Sequence, residues 1–71
     1  MIHPTALIDS RAQIDSSASI GPYAIIDGPV KLGPGVKVEA HAQVLGDTTV
    51  GANSIIGRAA IIGGDPQDLS F

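Results

Sequence analysis

The sequence predicts an all-β fold: a parallel β-helix of hexapeptide repeats with about four triangular coils. Two observations carry this. Eleven aliphatic residues recur every six positions without a slip: Ile2, Ile8, Ile14, Ile20, Ile26, Leu32, Val38, Val44, Val50, Ile56 and Ile62. Two positions before them runs a second series, mostly small: Ala6, Ala12, Ala18, Ala24, Val30, Val36, Ala42, Thr48, Ser54 and Ala60. A period of six fits neither an α-helix nor one long strand. It fits a solenoid in which each hexad forms one side of a coil.

Each element follows from its hexad. In Ala6-Leu7-Ile8, Ala12-Gln13-Ile14 and Ala18-Ser19-Ile20 the first and third residues face inward and the middle one outward, as a pleat requires. Three hexads close one coil. The second coil repeats the pattern at Ala24-Ile25-Ile26, Val30-Lys31-Leu32 and Val36-Lys37-Val38, and the third at Ala42-Gln43-Val44, Thr48-Thr49-Val50 and Ser54-Ile55-Ile56. Ala60-Ile61-Ile62 opens the fourth. The slot after each aliphatic is rich in turn residues, with Gly21, Gly33, Gly51, Gly57 and Gly63, and Asp9, Asp15 and Asp27 elsewhere. These residue types predict tight corners with unusual backbone angles. Pro4, Pro22, Pro29 and Pro34 fall in the same corners, where no ladder hydrogen bond is lost. The repeat occupies residues 1–63, and residues 64–71 form a tail that leaves it.

With 71 residues the chain is one domain and has little core of its own. It lacks cysteine, so disulfides and thiolate metal sites are excluded. The net charge of −3, with only Arg11, Lys31, Lys37 and Arg58 as scattered bases, argues against nucleic-acid binding. No apolar run has the ~20 residues of a membrane span, and the N-terminus has no secretory pattern. A cytoplasmic protein is the expectation.

Every eighteenth outward residue falls on one stripe. Leu7, Ile25, Gln43 and Ile61 make the most apolar stripe, with Leu45 beside it. Tyr23 and His41, also eighteen apart, are expected to stack at the adjoining corner. An exposed aliphatic stripe on a short solenoid predicts a partner surface. Leu7, Ile25, Ile61, Tyr23 and His41 are therefore the predicted oligomer interface.

Catalytic signals are sparse. His3 and His41 occupy different corner slots and form no metal set, so no metal is expected. Gly33-Pro34-Gly35 and Gly63-Gly64 lack the strand-to-helix context of a phosphate loop. No serine has a partnered histidine at readable spacing. No catalytic residue and no cofactor are predicted.

The tail adds a resemblance. Ile2-His3-Pro4-Thr5-Ala6, Ser19-Ile20-Gly21-Pro22-Tyr23 and above all Pro66-Gln67-Asp68-Leu69 resemble the UDP-N-acetylglucosamine O-acyltransferases that start lipid A synthesis. These are hexapeptide-repeat enzymes. The resemblance implies a left-handed β-helix, against the general rule that about 98% of parallel crossovers are right-handed. It implies packing as a homotrimer with parallel axes. It implies acyl carrier protein and UDP-N-acetylglucosamine as partners of the whole enzyme, with Asp68 and Gln67 on the sugar-nucleotide substrate. Ser70 and Phe71 stand where that family has a lysine and a tyrosine. Its general-base histidine belongs to a later coil, which neither His3 nor His41 matches. The chain therefore reads as the N-terminal β-helix portion of such an enzyme, inactive alone. Two alternatives stand beside this: a purely structural self-associating solenoid, and a piece of another hexapeptide acyltransferase.

Overall fold

The computed structural model describes residues 1–63, and the predicted tail, with Gln67 and Asp68, lies outside them. Among the described residues ten short strands follow one another with no helix: β1 (Leu7–Ile8), β2 (Gln13–Ile14), β3 (Ser19–Ile20), β4 (Ile25–Asp27), β5 (Lys31–Leu32), β6 (Lys37–Val38), β7 (Gln43–Leu45), β8 (Thr49–Val50), β9 (Ile55–Ile56) and β10 (Ile61–Gly63). They form three parallel sheets, ordered β1-β4-β7-β10, β2-β5-β8 and β3-β6-β9. Each strand pairs with the residue eighteen positions on, as in Leu7 with Ile25, Ile25 with Gln43, and Gln43 with Ile61. This is the left-handed hexapeptide β-helix, with between three and four coils in the described residues.

The hydrophobic core is drawn from the two inward series. Ala18, Ile20, Ala24, Ile26, Val30, Leu32, Val36, Val38, Ala42, Val44 and Ile56 are buried, and among the described residues no polar or charged one is. Small residues sit before the strand and branched ones within it, so large and small side chains alternate around each layer of the triangle. Burial is deepest in the middle coils. At the far end Ile62 is still 36% exposed, because no described coil lies above it.

The corners differ from expectation. Of the glycines after the aliphatic slot only Gly63 (85°) is left-handed; Gly21, Gly33, Gly51 and Gly57 are not. Positive φ falls instead at Tyr23 (58°), His41 (63°) and Ala59 (59°) on one corner, and at Gly35 (72°) and Asn53 (62°) on the next. On the third corner it comes one residue earlier, at Gly28 (104°) and Gly46 (74°). Here β4 and β7 run one residue longer, so the bend is made sooner. Gly21 serves a different need. A Cβ there would lie 3.0 Å from the Ala40 nitrogen of the next coil. At Gly21, and likewise at Gly33, glycine answers to the close approach of stacked backbones rather than to a special angle.

The first coil is built unlike the rest. Its corners have no positive φ, and side chains close them. The N–H groups of Thr5, Arg11 and Ser17 donate to His3 Nδ1 (3.2 Å), Asp9 Oδ1 (2.8 Å) and Asp15 Oδ2 (2.9 Å). Thr5 Oγ1, Asp9 Oδ2 and Ser17 Oγ then accept the corner N–H groups of Tyr23, Gly28 and Gly35 at 2.9–3.0 Å. One coil further on, the equivalent N–H groups of His41, Gly46 and Asn53 donate to backbone carbonyls of Pro22, Asp27 and Pro34. Short polar side chains thus stand in for carbonyls, as in Asx and Ser/Thr turns. The Met1 ammonium donates to the Ala18 carbonyl at 2.7 Å, and Ile2 bridges Ile20, covering part of this end.

Candidate functional site

The apolar stripe forms as the period predicts. Leu7, Ile25, Gln43 and Ile61 are in register along the four-stranded sheet. Leu7 and Ile61 are 65% and 63% exposed, while Ile25, between them, is half-buried. Leu45 ends β7 opposite Asp27 and Gly63 and is half-buried beside the stripe. The hexad puts these side chains outward because their neighbours Ile8, Ile26, Val44 and Ile62 point in.

Tyr23 and His41 stack at the adjoining corner, ring centroids 5.3 Å apart and planes 16° from parallel. Both carry the left-handed angle on a side-chain-bearing residue. That conformation costs roughly 1–2 kcal/mol per residue for L-amino acids other than glycine. The register that stacks one coil on the next sets these rings face to face, and offset stacking is favourable. Both remain exposed, so the pair extends the apolar face rather than the core.

Chemistry is thin elsewhere. His3 Nδ1 accepts the Thr5 N–H and lies 2.8 Å from Thr5 Oγ1, so it is engaged in a corner. Among the described residues neither histidine is hydrogen-bonded to a carboxylate, and no group of three histidine, cysteine or acidic side chains could hold a metal. Asp9 takes a forked bond from Arg11, Nε to Oδ1 at 3.1 Å and Nη2 to Oδ2 at 2.9 Å. The Arg11 hydrogen bonds, side chain first, hold its carboxyl far below the usual carboxylate range, and Asp9 raises Arg11 in turn. Asp15 is lowered as well, chiefly by the Ser17 hydroxyl. Both carboxylates therefore stay charged and serve as corner acceptors, not as proton donors at neutral pH. In sequence His3, Asp9 and Asp15 each stand two residues before their donor, but Asp27 and Glu39 fill the same slot in the second coil, so the slot alone did not single out this set.

A shallow groove of about 460 Å³ lies along β3, β6 and the corner that follows them. Ile20, Val38 and Gly21 line it, with His3, Lys37 and Arg58 among its polar groups. No helix of the described residues is long and apolar enough to cross a membrane.

Comparison with known proteins places the chain among relatives of this architecture. Residues 29–64 match the family model described as bacterial transferase hexapeptide (six repeats). The chain is 46% identical over 70 residues to the "Acyl-[acyl-carrier-protein]--UDP-N-acetylglucosamine O-acyltransferase" of Psychrobacter sp. (strain PRwf-1), a match covering 99% of this chain and 27% of that protein. It is 44% identical to the enzyme of that name in Syntrophobacter fumaroxidans, with the same coverage. Identity to the Chlamydia pneumoniae enzyme is 41%, covering 99% of this chain and 25% of that one. The chain spans about a quarter of the length of the curated relatives it matches. No solved structure matches it.

Proposed function

The chain belongs to the bacterial transferase hexapeptide family, and from that premise we propose that it is the N-terminal β-helix portion of an acyl-acyl-carrier-protein-dependent UDP-N-acetylglucosamine O-acyltransferase. One observation carries the reading: 46% identity to such an enzyme across 70 residues of this chain. In the proposed parent reaction the sugar hydroxyl attacks an acyl carrier protein thioester. A general base accepts the hydroxyl proton and the carrier thiol leaves. The coils described here are the rigid wall of that machine. The base is supplied by a later coil, so this chain by itself is silent. Gln67 and Asp68 are proposed to contact the nucleotide sugar in the whole enzyme, and the compartment is proposed to be the cytoplasm, where both substrates are made.

We propose further that the chain is a homotrimer with parallel axes, packed through Leu7, Ile25 and Ile61 with the Tyr23–His41 pair at the edge. The exposure of Leu7 and Ile61 in one stripe supports this. The same observation supports the structural alternative, a self-associating solenoid with no catalysis.

Two measurements test the proposal. Incubated with acyl carrier protein thioester and UDP-N-acetylglucosamine, the chain gives no transfer above background. Turnover that survives His3→Ala and His41→Ala would place the base among residues read here as wall. Sedimentation equilibrium tests the trimer: Ile25→Lys puts a charge at the centre of the contact and lowers the mass to monomer or unfolds the chain. A parent chain that is monomeric, or an Ile25→Lys variant that remains trimeric, rules out this face.

A further inference from the structure

One device closes the corners of the first coil, and at one corner it is built from a different chemistry. His3, Asp9 and Asp15 each accept the N–H two residues on: Thr5 to His3 Nδ1 at 3.2 Å, Arg11 to Asp9 Oδ1 at 2.8 Å and Ser17 to Asp15 Oδ2 at 2.9 Å. The corners at His3 and Asp15 match further. The Ser17 hydroxyl donates to Asp15 Oδ2 at 2.5 Å and accepts the Gly35 N–H at 2.9 Å. Thr5 Oγ1 lies 2.8 Å from His3 Nδ1 and accepts the Tyr23 N–H at 3.0 Å. An imidazole nitrogen thus stands where an Asx turn has a carboxylate oxygen.

This geometry assigns the His3 proton. Nδ1 faces the Thr5 N–H, a donor, so it is the unprotonated nitrogen and the neutral ring carries its hydrogen on Nε2. Thr5 Oγ1 already accepts from Tyr23, which leaves its own O–H to donate to Nδ1. A second proton can bind only at Nδ1, because an imidazolium is a donor at both nitrogens. Two donors then meet at Nδ1, and the Thr5 N–H loses its partner. Histidine changes charge between about pH 5 and 8. The other two corners hold to lower pH, since Arg11 keeps the Asp9 carboxyl, and Ser17 the Asp15 carboxyl, below the usual carboxylate range. The corner at His3 is therefore the first to give way in acid.

The surroundings offer an imidazolium little compensation. Lys37, Arg58 and the Met1 end line the groove beside His3, and Glu39 is the acidic side chain among its described lining residues. Glu39 occupies the slot of His3 two coils up, roughly 10 Å away at the inter-strand spacing. The remaining titratable groups of this corner, Tyr23 and His41, stack on each other. Tyr23 in turn hangs from Thr5 Oγ1 by its N–H, so release of Thr5 reaches that pair.

We propose that His3 is an acid-sensitive latch on the first corner. Neutral, it closes the turn on Thr5 and seats Tyr23 against His41. Protonated, it releases Thr5 and loosens the Tyr23 end of the stack. The closed corner binds fewer protons at this ring than the open chain does. The stability it contributes is therefore complete above the histidine range and is lost as pH falls through it. The latch uses only the corner's own atoms and is independent of the activity and the trimer proposed above.

NMR on the 71-residue chain between about pH 7.5 and about pH 5 tests it. The ring nitrogens of His3 should show the Nε2–H tautomer at the upper pH. Thr5 amide protection, taken relative to the intrinsic exchange rate at each pH, should fall about three- to tenfold across the range, the loss of one hydrogen bond. The Tyr23 amide should follow, while the Ser17 amide, held by Asp15, keeps its protection and so separates the latch from general loosening in acid. His3→Asn sets a non-titrating Oδ1 in the place of Nδ1 and should hold Thr5 at both pH values to within about twofold. The titration of the unmutated chain stands even if that variant fails to fold. A ring protonated on Nδ1 at the upper pH, or Thr5 protection that ignores the His3 titration, would overturn the proposal. So would a His3→Asn chain that loses as much protection as its parent, which would move the effect to Glu39 or His41.

Discussion

Truncating isoleucine to alanine at two levels of one column separates core from end. Ile26 and Ile62 are both third-slot residues of the four-stranded sheet, so the removed atoms are the same. Ile26 is 1% exposed, roofed by Val44 and floored by Ile8 through the strand register. Its truncation leaves a cavity walled by two packed coils and costs about 2–5 kcal/mol. Ile62 is 36% exposed. It forfeits only the buried share of a transfer energy of about 1.5–3 kcal/mol, roughly 1–2 kcal/mol, with no closed cavity to add. In a domain of this size 1 kcal/mol moves Tm by about 4–8 °C. Thermal unfolding followed by circular dichroism should therefore place Ile62→Ala well above Ile26→Ala. Because association adds to apparent stability, both are compared at one low protein concentration. Equal losses at the two sites in dilute protein would refute the graded core, since Ile62 would then be as enclosed as Ile26.

Three further outcomes follow from particular residues. Val44→Asp puts a carboxylate at a position with no exposure and should unfold the chain, whereas Gln43→Asp, pointing outward, should keep the β circular dichroism; equal Tm values would reverse the inward and outward assignment. Ala59→Gly relieves a side-chain-bearing residue at φ 59° and should raise stability by up to about 1 kcal/mol in a urea titration, while Gly28→Ala, with φ 104° and the next coil's Gly46 3.1 Å from the new Cβ, should lower it. Asp9 is depressed by Arg11 from an ordinary value of 3.8, so its contribution is present above that pH and fades as pH falls toward the folded-state value. Asp9→Asn should lower Tm at pH 7 and flatten the acid limb of a Tm-against-pH curve, and an unchanged limb would remove Asp9 from the corner's stability.

The period of six determined the fold because every inward position repeats the same physical demand. Ile26, Leu32 and Val38 must each reach the centre of a triangle, and Ala24, Val30 and Val36 must each fit beside them. That demand is local, so it is written residue by residue. The stripe of Leu7, Ile25 and Ile61 and the Tyr23–His41 stack were legible for the same reason, since eighteen positions in sequence equal one coil in space. The corners were not. Whether a glycine answers to φ or to a neighbouring backbone depends on the coil above it, which put positive φ at Tyr23, His41, Asn53 and Ala59 rather than at Gly21 or Gly33. Nor did the period reveal that Thr5, Asp9 and Ser17 cap the first coil. Their acceptors meet donors eighteen or nineteen residues away, at Tyr23, Gly28 and Gly35, and only the stacked coils bring those atoms within hydrogen-bond reach.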